Sequence, residues 1–150
     1  MRLFLVQHGD AVPADIDPER PLSDKGRADI RRLAERLRQS GVRVERILHS
    51  GKLRAMQTAE MLSVLLAGGG SIEARDGLAP NDPPQPLLES LGDEDLLLAG
   101  HMPFVSRVVS IALGVPADRA LVRFQPGSVA VLERGDDAWS LVAFIRPEHA

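Results

Sequence analysis

Four apolar residues, Leu3 to Val6, run directly into Gln7, His8 and Gly9 at the head of the chain. A short apolar run bounded by polar residues is the pattern of a buried strand, and the polar trio falls where that strand ends. A polar, proline-containing loop follows, from about Asp10 to Pro21. Ser23 is placed to cap a helix, along which Ile30, Leu33, Ala34 and Leu37 recur at helical spacing until Gly41 supplies the stop. Arg46 to His49 predicts a second short strand, and Gly51 to about Leu66 a second helix. The triple glycine at 68 to 70 marks a turn; it lacks the Gly-Lys-Ser/Thr ending of a phosphate-binding P-loop. A weak strand over Ile72 to Ala74 leads into a loop with Pro80, Pro83, Pro84 and Pro86. Asp95 to Ala99 then predicts a buried strand, and Pro103 to Leu113 a helix ended by Gly114. Val129 to Glu133 and Trp139 to Phe144 predict a hairpin across Gly135, Asp136 and Asp137 that closes one edge of the sheet.

Apolar runs alternating with helical patterns are the rhythm of a parallel sheet covered by helices. The fold class expected is therefore α/β, a three-layer α/β/α arrangement around a mainly parallel central sheet. At 150 residues the chain is expected to form one domain, 1–150, with room for a proper core.

Composition narrows the function. With 44% hydrophobic residues, 26% charged and a net charge of -3, the chain falls in the ordinary globular range, and no basic block offers a nucleic acid its footprint. The chain has no cysteine, which excludes a disulfide scaffold, thiolate zinc sites and a cysteine nucleophile together. The first apolar run is too short for a signal peptide or a membrane span, so the expected setting is cytoplasmic, with neither nucleic acid nor membrane as partner.

The strand ends carry the chemistry. The first ends in His8-Gly9, the second in "HSGKLRAMQTAE" from His49, and the fourth in "AGHMP" from Ala99. In open parallel sheets the edge outside the carboxyl ends of the strands is where ligands bind. His8, Ser50, Arg54 and His101 would meet there, with helix N-termini behind two of them. Free helix amides favour a phosphate or carboxylate, Arg holds phosphate in a bidentate fork, and a neutral His can attack phosphorus. The expected ligand is an anion, best a phosphoryl group.

"QHGDA", "HSGKLRAMQTAE" and "GHMP", in this order and at this spacing, resemble the histidine phosphatase superfamily of phosphoglycerate mutase-like fold. "RPLSDKG" from Arg20 also falls where that superfamily places a similar run. The large insertion that caps its sugar-phosphate mutases and acid phosphatases is missing, so the chain is most similar to the small phosphohistidine phosphatases of the SixA type, with a minimal cap. The resemblance implies that His8 is a nucleophile that becomes a phosphohistidine. It further implies that Arg54 clamps phosphate oxygens and that His101 donates to them as charge builds. Gln7, Gly9, Arg20 and Ser50 become the candidate substrate-binding residues, and no metal or other cofactor is implied. The implied partner is a histidine-phosphorylated protein, a phosphotransfer domain or phosphocarrier, or else a small phosphorylated substrate.

Three departures from the family pattern stand out, of which the one at Gly51 is expected to cost rigidity but no chemistry. Gln7 stands where the pattern has arginine, which removes one cation although two N–H donors remain. Gly51 stands where the pattern has proline, at the expected first helical position. No carboxylate matches the general acid of the mutase branch, Asp76 and Asp82 being merely nearby in sequence. Imidazole, with a pKa of about 6.5, leaves phosphorus far more easily than an alkoxide, so this absence favours a nitrogen-linked phosphoryl substrate. Two other readings stand beside the enzyme: a phosphoryl-binding or regulatory module weakened by Gln7, and a metal hydrolase using His8, Asp10, His49 and His101. His49 is expected to be structural, and Gln57 and Thr58 to hold their helix against the sheet.

Overall fold

Side chains of a strand alternate between the two faces of its sheet, and the first strand uses both. In the computed structural model, which describes every residue except Gly69, β1 (Arg2–Gln7) turns Leu3 and Leu5 to one core and Phe4 and Val6 to another. The middle of the expected triple-glycine turn thus lies outside the described residues. A strand buried on both faces reads as an unbroken apolar run, as seen at Leu3 to Val6.

The remaining elements are α1 (Asp24–Gln39), β2 (Arg46–His49), α2 (Leu53–Leu66), β3 (Ser71–Ala74), α3 (Gln85–Glu89), β4 (Leu96–Gly100), α4 (Phe104–Ala112), β5 (Val129–Arg134) and β6 (Trp139–Ile145). They form a six-stranded sheet in the order β3-β2-β4-β1-β5-β6. The pairs β3·β2, β2·β4 and β4·β1 are parallel, whereas β1·β5 and β5·β6 are antiparallel. The sheet is therefore mixed rather than mainly parallel. The physical reason is that the expected hairpin of β5 and β6 docks on β1 with β5 antiparallel to it. One core packs α1 and α2 through Ile30, Leu33, Leu37, Leu62 and Leu66 on one face of the sheet. The other packs α4 through Phe104, Val105, Val108 and Val109, and α3 through Leu87.

Two local expectations need correction. Gly51 is not the first helical residue: its φ is +92°, a left-handed turn that glycine adopts without strain, and α2 begins at Leu53 with Lys52 as its cap. The proline-rich loop contains the short helix α3, whose first turn holds Pro86, where a missing N–H costs nothing.

The loop after β1 is tied to the first turn of α1, as the capping pattern at Ser23 requires. Ser23 Oγ accepts from Gly26 N at 3.0 Å and donates to Asp10 Oδ2 at 2.6 Å, while Ser23 N donates to Asp10 O at 2.9 Å. A Cβ on Gly26 would lie 2.1 Å from Asp10 O, so only glycine allows this approach. An isolated bridge between Ala11 and Leu22 closes the base of the loop, and Arg20 sits near its end with a positive φ of 50°. Among the described residues, no helix is long and apolar enough to cross a membrane.

Candidate active site

Because β1, β2 and β4 are mutually parallel, their carboxyl ends lie on one edge, and the residues that follow them converge there. His8 follows β1, Ser50 follows β2, His101 follows β4, and Arg54 stands in the first turn of α2. The two imidazoles face each other with ring centroids 5.2 Å apart and planes inclined by 57°.

His8 is 8% exposed, and its tautomer is fixed by its partners. Nδ1 lies 2.7 Å from the carbonyl oxygen of Gly9, which can only accept, so the proton sits on Nδ1. Nε2 lies 3.3 Å from Arg54 Nε, which can only donate, so Nε2 presents a lone pair. Burial pushes the pKa of His8 down to about 4; the Gly9 carbonyl opposes this, and the Arg54 and Arg20 charges reinforce it. At neutral pH the ring carries one proton, on the side away from Arg54.

Gly9 supports this arrangement from its other end. Its N–H donates to Thr58 Oγ1 at 3.1 Å, and that hydroxyl donates to Arg54 O at 2.8 Å, which links the β1 turn to the first turns of α2. Gln57 Oε1 accepts from Leu22 N at 2.8 Å. Thr58 thus ties α2 to the end of β1, whereas Gln57 ties it to the loop before α1 rather than to the sheet.

His101 is 2% exposed, with Nε2 2.6 Å from Ser50 Oγ and Nδ1 buried without a partner. Burial pushes its pKa down to about 3, and the charges of His8, Arg54, Lys52 and Arg20 add to the effect. Ser50, a candidate substrate-binding residue, places its hydroxyl against His101 Nε2. His49 is buried and braces the turn, its Nδ1 accepting from Gly51 N at 3.0 Å.

Gln7 is buried on β1, its backbone N donating to Ser128 O and its carbonyl accepting from Gly127 N, both at 3.0 Å. Its side-chain Oε1 is buried with no hydrogen-bond partner. Arg20 is held by Nε donating to Val12 O at 3.1 Å, and its charge reaches His8, Arg54 and His101. Lys52, not among the expected site residues, reaches His101 in the same way; its place two residues before Arg54 was the only signal in the sequence. Asp82 is occupied elsewhere, its Oδ2 accepting from Ala79 N at 2.8 Å. Among the described residues, no group of three or more His, Asp or Glu side chains could hold a metal ion.

Arg54 opens on a depression of about 400 Å³ lined by Pro18, Glu19, Lys52, Leu53 and Met56. Met102, next to His101, lines a second open depression of about 370 Å³ with Leu121, Val122 and Phe124. Open depressions of mixed charged and apolar lining thus adjoin Arg54 and Met102.

Two neutral imidazoles beside a guanidinium, at the carboxyl edge of parallel strands, are suited to a phosphoryl group. Residues 3–79, a stretch that includes His8, Ser50 and Arg54 and stops short of His101, match the histidine phosphatase superfamily (branch 1), and the chain belongs to that superfamily. It is 33% identical over 117 residues to the phosphohistidine phosphatase SixA of Escherichia coli, covering 73% of each chain. It is 38% identical over 112 residues to an uncharacterized protein of Picosynechococcus, covering 69% of this chain and 67% of that one. The fold superposes on the structure of the protein histidine phosphatase SixA complexed with tungstate with a TM-score of 0.83 and 25% identity, covering 98% of this chain and 97% of that one.

Proposed function

We propose that this chain is a phosphohistidine phosphatase that acts on a histidine-phosphorylated protein through a phosphohistidine intermediate on His8. The observation that carries the reading is the double constraint on the His8 ring: Nδ1 donates to Gly9 O, and Nε2 keeps its lone pair toward Arg54. A neutral imidazole oriented in this way is a nucleophile that needs no general base.

In the first step the Nε2 lone pair of His8 forms a bond to phosphorus as the bond to the leaving imidazole breaks, and that imidazole takes up a proton from solvent water. Water then attacks phosphorus, the P–Nε2 bond breaks, and inorganic phosphate departs with the Nδ1-protonated ring restored. Arg54 gives Nε to His8 in the free site and has both terminal amino groups for phosphoryl oxygens. His101 supplies a ring N–H to the charge that builds on those oxygens, and Arg20 adds a cation. Gln7 offers amide N–H groups where an arginine would have offered a charge.

A protein-borne substrate is favoured by the open depressions beside Arg54 and Met102, which leave the pocket accessible to a side chain carried on a large surface. The absence of a matching general acid favours a nitrogen-linked phosphoryl group. Comparing phosphate release from a histidine-phosphorylated carrier protein and from small phosphomonoesters tests this substrate class. A kcat/KM at least about a hundredfold higher on the carrier is expected, and a preference for a monoester would replace the proposal with a small-metabolite phosphatase.

A further inference from the structure

We infer that Ser50 is a positioning residue that fixes the ring of His101 with Nε2–H toward the phosphoryl pocket, rather than a ligand of the phosphoryl group. The inference rests on the functional reading above for its consequence, but the positioning claim itself stands on the geometry of the free site.

Ser50 Oγ, 2.6 Å from Nε2, is the one hydrogen-bond partner found for the His101 ring among the described residues, since Nδ1 is buried and unpaired. The ring is neutral, so one nitrogen carries the proton. A proton on Nδ1 would leave a buried donor with no acceptor, the rarer and costlier kind of orphan. A proton on Nε2 is accepted by Ser50 Oγ, and only a lone pair is left unpaired at Nδ1. Ser50 therefore selects the Nε2–H tautomer and prevents the ring from turning over.

The hydroxyl is itself held. Lys52 N donates to Ser50 Oγ at 3.3 Å, and Gly51 N donates to His49 Nδ1 at 3.0 Å, so both residues of the β2 turn are braced by the turn's own amides. The left-handed Gly51 makes this possible by folding the chain back before α2 starts. With one lone pair taken by Lys52 N–H and the other by His101 Nε2–H, the serine proton is free to swing. An arriving phosphoryl oxygen can share the Nε2–H with Ser50 Oγ as a bifurcated bond, so the ring keeps its place.

The test is the tautomer of His101, read from long-range nitrogen–proton NMR spectra of the whole chain with and without inorganic phosphate, beside steady-state kinetics on a phosphorylated carrier. The native chain is expected to show the Nε2–H tautomer with and without phosphate. Ser50→Ala is expected to mix the two tautomers and to lower kcat by about ten- to a hundredfold with KM unchanged, because a misplaced group costs rate on this scale. Ser50→Thr, which keeps the hydroxyl, is expected to restore both. An Nδ1–H tautomer in the native chain, an unaltered tautomer in Ser50→Ala, or a raised KM with kcat retained would overturn the inference. If the native chain turns nothing over, the spectra still decide the positioning claim, and only the phosphatase reading falls.

Discussion

Arg54 Nε stands 3.3 Å from Nε2 of His8, so a permanent cation donates to the one ring nitrogen that carries no proton. The contact does two things at once. It orients the lone pair toward the guanidinium that would hold the phosphoryl oxygens, and it makes protonation of Nε2 unfavourable, because the new N–H would face a donor and a like charge.

Replacing Arg54 by lysine therefore removes more than a charge. Lysine keeps the cation but cannot bond His8 through one nitrogen while presenting two others in a fixed plane. Arg54→Lys is expected to lower kcat by about a hundred- to a thousandfold, the usual cost of a lost transition-state donor. Steady-state kinetics on a histidine-phosphorylated carrier measures this; activity near the native level would mean that the fork is not used.

The depressed pKa of His8 sets the acid limb of the rate profile. An ordinary histidine nucleophile would begin to fail as pH falls through about 6.5. Here kcat/KM is expected to hold through that value and to fall only near pH 4, where His8 takes up its second proton. The kcat/KM profile of the native chain measures it, and a limb near 6.5 would show that the ring is not held as described.

Stability follows the same two rings. Both folded-state pKa values, about 4 for His8 and about 3 for His101, lie below the unfolded value, so in this window the unfolded chain binds more protons than the folded one. Stability rises with pH wherever that holds. The contribution is fully present above about pH 6.5 and is lost as pH falls through about 4 for His8 and about 3 for His101. Urea unfolding at a series of pH values is expected to show this slope, and His101→Asn is expected to flatten it.

Gln7 invites substitution in two directions. Gln7→Arg would restore a cation at the pocket and is expected to raise turnover by about tenfold or more, each charged hydrogen bond being worth about 1.5–3 kcal/mol. An unchanged or lower rate would mean that the pocket is built around glutamine. Gln7→Met removes the buried, unpartnered Oε1 and is expected to leave stability unchanged or raise it by about 1 kcal/mol, as read by urea unfolding.

Gly26 carries the loop that brings Arg20 over the site. Gly26→Ala would place a Cβ 2.1 Å from the carbonyl oxygen of Asp10, a backbone atom held by Ser23 N–H. A loss of about 2–3 kcal/mol is expected in urea unfolding, together with reduced turnover as the loop shifts.

Much of this was legible in the residues. The strands with strong apolar runs and the helices with clear stops were found close to their ends, because burial on one or two faces writes a period into the sequence. The convergence of His8, Ser50, Arg54 and His101 followed from parallel strands alone. Three features were not legible, each for its own reason. The antiparallel docking of β5 on β1 is a non-local choice between exposed edges. The helix α3 hides among prolines that elsewhere break helices, and it is too short to show a period. The role of Ser50 depends on which neighbour its hydroxyl meets, a matter of about an ångström that spacing cannot express; the same holds for the orphaned atoms of Gln7 and His101.

The central claim is that His8 itself becomes phosphorylated. The direct measurement is rapid acid-free quenching of the native chain during turnover of a histidine-phosphorylated carrier in EDTA, followed by intact-mass and peptide mapping, with His8→Ala beside it. A phosphoryl group that is stable to alkali, labile to acid, located on His8 and absent from His8→Ala, which also releases no phosphate, is the predicted result. Phosphate release by His8→Ala at the native rate, or release by the native chain that ceases in EDTA, would contradict it.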